Sequence, residues 1–350
     1  MQKTRLVELV MLTVVSVTSL NATIWTLDNT PGNIANFNSI TEALTSTDVV
    51  DGDTLYVAGS HISYGGMSLT KRLAIFGPGY WLSENGETQN APLSATFVDV
   101  LIDGTNVSSD PSGSLLSGLE ISGYLRLSGG FEATKHVHDI IITRCKMYRF
   151  QWTTAFQYSS VYDILISDSY IGHIVEPFAS GINTGGYNIN FANNYIHNLW
   201  SNTAHCSMNI INNVVLGSIL TSNSVVRNNI VIGANSMYGI TTSNTYQNNL
   251  ISDETVAATD GNQTNVDMSG VFEGYPTSGA FSEDARWQLA AGSPAIAAGS
   301  NGEDCGMYGG STPYVLSGIP WIPTITYLSA PSQTSPSAGL EVHIKARSRN

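Results

Sequence analysis

A short pattern of apolar and polar positions recurs through the middle of the chain. Each copy has an alternating apolar run, a two-residue small or polar step, and a further apolar pair. The copies lie about twenty residues apart and show no helical periodicity between them, which indicates stacked β-repeats. The six clearest copies are residues 140–145, 164–169, 189–194, 208–213, 224–229 and 244–249.

The second residue of the two-residue step forms a column of small or amide side chains. In parallel strands stacked about 4.8 Å apart, such residues lie above one another, and asparagine side chains can form a hydrogen-bonded ladder. An antiparallel sandwich would not repeat one residue class at one position. The pattern therefore predicts an all-β parallel solenoid, and leaves open which residue of each Asn pair points inward. The predicted column is Cys145, Ser169, Asn194, Asn213, Asn229 and Asn249.

The two ends of such a solenoid expose unpaired strand edges and need a cover. Residues 37–47 predict a helical cap at the N-terminal end, within a solenoid domain that we assign to residues 23–315. The Pro-containing region that follows the repeats is expected to cap the other end. Residues 316–350 are predicted to be a tail, in which 324–328 and 340–346 pair as a β-hairpin.

The first 22 residues have the composition of an export signal. Lys3 and Arg5 precede a mostly apolar run from Leu9 to Leu20. This run is too short to span a bilayer, so residues 1–22 are predicted to be a signal peptide. The protein is therefore expected to be secreted or displayed at the cell surface.

The composition and net charge indicate which classes of binding partner are unfavourable. Charged residues make up 12 % of the chain and the net charge is −13, which argues against binding to nucleic acid or to anionic membranes. The three cysteines, Cys145, Cys206 and Cys305, are predicted to be buried free thiols. The alternative is one disulfide, whose pairing the sequence does not define.

Several segments resemble right-handed parallel β-helix proteins of the pectate-lyase-like superfamily. The resemblance extends over residues 37–347 and implies a right-handed parallel β-helix with a helical N-terminal cap. It implies no single activity, because that superfamily holds lyases, hydrolases and adhesins. The matching segments are 51–57 and 70–77 at the opening, 286–289 and 292–299 at the close, and 305–310 and 313–320 in a tail like that of exported proteins of Gram-negative bacteria.

Aligning the repeats brings cations and aromatic residues to one predicted outer face. Tyrosine rings stack on sugars, and Arg or Lys pairs with carboxylates, so this face predicts binding of an acidic polysaccharide. A positioned base on it would also suit a polysaccharide lyase better than a glycoside hydrolase. The candidates are Arg144, Lys146, Tyr170 and His173 for catalysis, and Arg149, Asp168, Tyr195 and His197 for substrate binding.

The alternative interpretation of this face is ordinary surface charge, with Arg144 and Asp168 forming an exposed ion pair of little energetic value. A second column contains Asp139 and Asp163, just before two strands. These are candidate calcium ligands, although residues of this kind commonly cap turns instead. No other cofactor is predicted.

The catalytic motifs of the best-known members of the superfamily are absent from the sequence. There is no polygalacturonase-like set of Asn-Thr-Asp, Asp-Asp, His-Gly and Arg-Ile-Lys, and no pectate-lyase-like Arg-x-Pro-x-x-Arg. Two functions therefore remain open. The first is a secreted polysaccharide-binding protein, extended to a lyase of uronate polymers. The second is a non-catalytic surface or adhesion protein that uses the solenoid as a rigid scaffold.

Overall fold

The structure is a computed structural model of the 350-residue chain. The predicted signal peptide lies outside the described residues except for Ala22. The residues described are 22–86, 88–105, 110–129, 136–153, 161–177, 186–201, 206–233, 237–239, 243–276, 279–333, 335 and 339–348.

Short β-strands account for most of the regular structure. Within the described ranges there is one α-helix, α1 (Ile40–Thr45). It begins after Ser39, whose hydroxyl accepts a hydrogen bond from the Glu42 amide. Single 3-10 turns occur at Met268–Gly270, Ala285–Trp287, Ser300–Gly302 and Leu316–Gly318. The strands are β1 (Ile24–Leu27), β2 (Thr54–Val57), β3 (Met67–Leu69), β4 (Ala74–Phe76), β5 (Thr96–Phe97), β6 (Val100–Gly104), β7 (Leu115–Ser117), β8 (Glu120–Gly129), β9 (Val137–Thr143), β10 (Lys146–Thr153), β11 (Val161–Ser167), β12 (Tyr170–Pro177), β13 (Gly186–Ala192), β14 (Tyr195–Trp200), β15 (Met208–Ile211), β16 (Val214–Val215), β17 (Ile219–Thr221), β18 (Val225–Arg227), β19 (Ile230–Val231), β20 (Met237–Gly239), β21 (Thr245–Gln247), β22 (Leu250–Ile251), β23 (Thr324–Ser329) and β24 (His343–Arg347).

Two large sheets contain almost all of these strands. Over the described residues, the first sheet has ten strands in the order β1-β2-β4-β7-β9-β11-β13-β15-β18-β21. The second has twelve, with β22-β19-β16-β14-β12-β10-β8-β6-β3 as its main path. The pairings between described strands within both sheets are parallel. The predicted all-β class and its repeats of parallel strands are confirmed, and the arrangement is consistent with a parallel β-helix.

The alternating apolar residues of each repeat form the core. Ile140 and Ile142 pair with Ile164 and Ile166 in register, and all four side chains are fully buried. Because successive side chains of a strand point to opposite faces, the residues between them face outward. Most of the inward side chains form one hydrophobic cluster that extends from Leu27 to Ile251. A second cluster, which runs from Tyr80 to Tyr314, includes residues of the second sheet and of the returning C-terminal part.

A two-residue corner connects each of the later strands of the first sheet to the second sheet. Its first residue has a positive φ, which Gly, Asn and Asp adopt at low cost and other residues rarely adopt. We call these first residues the corner column: Gly118 (φ 71°), Arg144 (55°), Asp168 (48°), Asn193 (56°), Asn212 (54°), Asn228 (56°) and Asn248 (52°). The second residue of each corner is the one that points inward, which the sequence did not decide.

These inward residues form an amide ladder. The Nδ2 of Asn194 donates to Oδ1 of Asn213, Asn213 to Asn229, and Asn229 to Asn249, each at 3.0 Å. The ladder continues to Asn262, again at 3.0 Å, a residue that the repeat spacing missed because it follows Asn249 too closely. Each buried amide therefore forms a hydrogen bond with the next one, so that these buried polar groups have hydrogen-bond partners.

The C-terminal part of the chain returns along the corner column. We call residues 279–323 the returning segment. Ser300 donates its amide to Asn228 Oδ1 at 3.0 Å, Asn193 donates to the Gly309 carbonyl at 2.7 Å, and Arg144 donates to the Ile319 carbonyl at 2.9 Å. The segment thus crosses the late repeats first and the early repeats last. Beyond it, β23 and β24 pair as an antiparallel hairpin.

Candidate functional site

The eight residues predicted to share one outer face occupy three different environments. Tyr170 and Tyr195 are buried beneath other aromatic rings. Arg144 and Asp168 lie at the corner, under the returning segment. Arg149, His173 and His197 lie on a partly open part of the second sheet, and Lys146 lies between these groups. The described structure therefore does not bring all eight to one open surface, contrary to the expectation from the aligned repeats.

The two predicted tyrosines are enclosed by tryptophans. Tyr170 and Tyr195 are only 9 % and 3 % exposed, and their rings stack at 4.1 Å. Trp81 contacts the Tyr170 ring at 4.7 Å, and Trp287 contacts the Tyr195 ring at 5.0 Å. Burial raises the pKa of Tyr170 strongly and that of Tyr195 to about 12. Neither ring offers a face or an ionisable hydroxyl to a polymer outside.

Lys146 is paired rather than available as a base. Its Nζ lies 2.6 Å from Oε1 of Glu120, and its ammonium group lies 4.7 Å from the centre of the Trp81 ring. Both side chains of the ion pair are about three-quarters buried. The ammonium group of Lys146 is therefore already occupied by Glu120 and the Trp81 ring.

Arg144 and Asp168 border a cleft at the corner. Each residue is 9 % exposed. Arg144 donates to the Ile319 carbonyl and its guanidinium lies 5.2 Å from the Trp321 ring centre. Burial raises the pKa of Asp168 to about 7, although the nearby Arg144 opposes this shift. We call this space of about 950 Å³ the corner cleft; it is lined by Ile141, Thr143, Leu165 and Ser167 of the first sheet and by Tyr308, Thr312, Tyr314 and Trp321 of the returning segment.

A second cluster lies on the outer side of the second sheet. A register shift between Met147 and Arg149, repeated between Ile171 and Ile174, changes the alignment of outward side chains there. Tyr124, one repeat earlier, was missed because its repeat lies before the aligned copies. We call the following residues of four neighbouring strands the second-sheet patch: Tyr124, Arg126, Tyr148, Arg149, His173 and His197.

The members of the second-sheet patch contact one another closely. The guanidinium of Arg126 lies 4.2 Å from the Tyr124 ring centre, and that of Arg149 lies 5.5 Å from it. Arg149 Nε donates to His173 Nδ1 at 3.3 Å. Tyr148, which is 44 % exposed, contacts the His173 ring at 4.8 Å. These contacts hold cationic and aromatic groups side by side at the surface.

Two further contacts of this surface involve His197 and Arg126. Burial lowers the pKa of His197, and the neighbouring His173 ring, 6.3 Å away, lowers it further. Arg126 also donates to the Gln151 side chain at 3.1 Å. Glu176 stands in register with Gln151 on the next strand.

The two candidate calcium ligands lie within strands and have the same left-handed backbone conformation as the residues of the corner column. Asp139 and Asp163 both have a φ of 54°. Asp139 contacts His138 Nδ1 at 2.7 Å, and Asp163 accepts from the Asn188 amide at 2.7 Å. In the described part of the chain, no three His, Cys, Asp or Glu residues group in a way that could hold a metal ion.

The three cysteines are buried free thiols, as the sequence predicted. The described residues contain no helix that is both long and apolar enough to cross a membrane. Comparison of the chain with protein-family models, with curated proteins and with solved structures finds no match.

Proposed function

We propose that the chain is an exported right-handed parallel β-helix protein of the pectate-lyase-like type, which binds acidic polysaccharide through the second-sheet patch. The alternation of the chain between two parallel sheets and the amide ladder support the fold. The composition of residues 1–22 supports export. The observation that carries the function is the cluster of two guanidinium groups, two tyrosine rings and two imidazoles on four neighbouring strands.

The chemistry of this cluster suits a uronate polymer. Guanidinium groups pair with carboxylates in a defined geometry, and tyrosine presents a large apolar ring with a polar tip. Four parallel strands span about 14 Å, so the patch can contact more than one sugar unit.

The arrangement supports binding more than elimination. Since Arg149 donates to Nδ1 of His173, the neutral imidazole carries its proton on Nε2 and has no free lone pair to remove a proton. Lys146 is paired with Glu120 and Tyr170 is buried, so neither is a base in this state. We therefore propose polysaccharide binding as the function. Lyase activity is not part of this proposal and is measured in a separate assay.

The test is binding of the full chain to soluble alginate and polygalacturonate by affinity electrophoresis, with dextran as the neutral polymer. The variant is Arg126→Ala with Arg149→Ala, and the matched control is Arg227→Ala, an exposed arginine of the first sheet. Loss of two charge-assisted contacts should weaken binding at least about 10-fold, and added salt should weaken the wild type. The control should bind normally.

Two results would overturn the proposal. Equal retention of the double variant and the wild type would place binding elsewhere. Absence of retention on every acidic polymer would favour the scaffold or adhesion function instead. Formation of unsaturated, ultraviolet-absorbing products would show that the bound polymer is also cleaved.

A further inference from the structure

The residues of the corner column are glycine or asparagine except at two adjacent repeats. Five of its residues are Gly118 or asparagines, which tolerate a positive φ. Arg144 does not suit this conformation. Asp168 does, but asparagine would serve as well without burying a charge. Residues that break a local rule without a local benefit point to function, and these two border the same corner cleft.

Both exceptions carry a polar atom that the protein leaves unsatisfied. Among the described residues, Oδ1 of Asp168 and Nε of Arg144 have no hydrogen-bond partner although both are buried. The other carboxylate oxygen of Asp168 receives a long hydrogen bond of 3.4 Å from the Thr143 hydroxyl, and the Ser167 hydroxyl also interacts with this carboxylate. The corner cleft therefore has a spare acceptor and a spare donor at its base, which in a native structure calls for an explanation.

The walls of the corner cleft have the chemistry of a sugar site. Thr143, Ser167 and Thr312 supply hydroxyl groups, and Tyr314 and Trp321 supply aromatic rings. The volume of about 950 Å³ lies in the range of small-molecule sites. The two charged residues of the lining are one guanidinium and one carboxyl group, so the cleft has no surplus charge to attract an ionic ligand.

We propose that the corner cleft binds a neutral sugar of one or two units, with Asp168 accepting hydrogen bonds from sugar hydroxyls and Arg144 donating to them. This site is separate from the second-sheet patch and does not depend on the function proposed for it. Because the two unsatisfied atoms are buried, binding displaces the side chain of Trp321, which is 39 % exposed and covers Arg144. The returning segment is thus the movable wall of the site.

The test is isothermal titration of the full chain with cellobiose and with the methyl glycosides of glucose, galactose, mannose and xylose. Galacturonic acid is the charged comparison. Asp168→Asn keeps the shape and the backbone preference of the corner, and should weaken binding of the preferred neutral sugar about 10-fold by removing a charged acceptor. Leu165→Trp fills the cleft from the outer face of the first sheet and should abolish binding.

Arg227→Ala, at an exposed position of the first sheet outside the cleft lining, is the matched control and should bind the sugar normally. Hydrogen exchange should report a change at residues 311–323 when the sugar binds. Absence of saturable heat with every neutral sugar would overturn the proposal. So would unchanged binding in both cleft variants, or tighter binding of galacturonic acid than of any neutral sugar.

Discussion

The late and the early repeats make the same backbone corner by different means. From Asn193 onward, each corner has two asparagines: one adopts the left-handed conformation and the other joins the amide ladder. In the early repeats these pairs are Gly118-Leu119, Arg144-Cys145 and Asp168-Ser169. The fold therefore does not require asparagine at every corner.

The difference between the late and the early corners indicates that the late corners stabilise the fold, whereas the early corners can contact a ligand. The ladder amides of the late corners are paired with one another. Among the described late corner residues, Asn212 alone has a buried side-chain oxygen without a hydrogen-bond partner, and it is uncharged. The early corners leave Arg144 Nε and Asp168 Oδ1 unpaired, and both residues border the corner cleft. If this division is correct, substitutions in the late corners should cost stability, and substitutions in the early corners should change local properties.

The largest effect is expected from Asn213→Ala. Asn213 Nδ2 donates to the Phe191 carbonyl and to Asn229, and its Oδ1 accepts both the amide and the side chain of Asn194. Alanine would leave several buried groups unsatisfied at about 1–3 kcal/mol each. We expect a loss of at least about 3 kcal/mol in the free energy of unfolding, measured by urea denaturation.

The control for this ladder variant is Asn209→Ala on the same repeat. Asn209 points outward and donates to Asn190 at 2.8 Å in a partly exposed site. Its loss should cost no more than about 1 kcal/mol. Equal effects of the two variants would mean that the ladder is not what stabilises the late corners.

The second largest effect is expected from Asp168→Asn, and it should depend on pH. The pKa of Asp168 is raised from 3.8 to about 7 in the folded protein. Between these values the folded chain keeps a proton that the unfolded chain releases, so stability falls as pH rises from about 4 to about 7. Asparagine removes this loss, so the variant should be more stable than the wild type above neutral pH.

The measurement is urea denaturation of both proteins across this pH range. The difference between them should be largest above pH 7 and shrink towards pH 4. A difference that is constant with pH would mean that Asp168 is not a desolvated carboxyl group.

A smaller and local effect is expected from Arg144→Asn. Asparagine suits the left-handed corner, which relieves about 1–2 kcal/mol of backbone strain, but it loses the contacts with the Ile319 carbonyl and the Trp321 ring. Global stability should therefore change little, whereas amide exchange in residues 319–321 should become faster. Arg144→Lys, which keeps the charge but not the planar group, should give the same local change; protection equal to the wild type would show that Arg144 does not anchor the returning segment.

The sequence predicted the strands and the asparagine ladder, which depend on residues close in sequence and on the stacking of the repeats. Alternation in copies such as 140–145 defined the strands, and the recurring asparagines defined the ladder, because both follow from the spacing of side chains along a strand. The burial of Tyr195 did not follow, because Trp287 is distant in the sequence and reaches it only through the returning segment. The register shift beside Arg149 likewise has no signature in the apolar pattern.

The smallest effect is expected from Lys146→Met. Methionine keeps the apolar stem against Trp81 but leaves Glu120 without its partner at 2.6 Å. Because this pair is only partly buried, the loss of stability should be about 1 kcal/mol or less. Binding to uronate polymers should stay unchanged, since the ammonium charge is already neutralised and lies outside the second-sheet patch. The double variant Lys146→Met with Glu120→Gln isolates the coupling between the two side chains. A large loss of polymer binding in Lys146→Met alone would show that the binding surface extends from the second-sheet patch to Lys146. The second-sheet patch and the early corners would then not be separate functional regions.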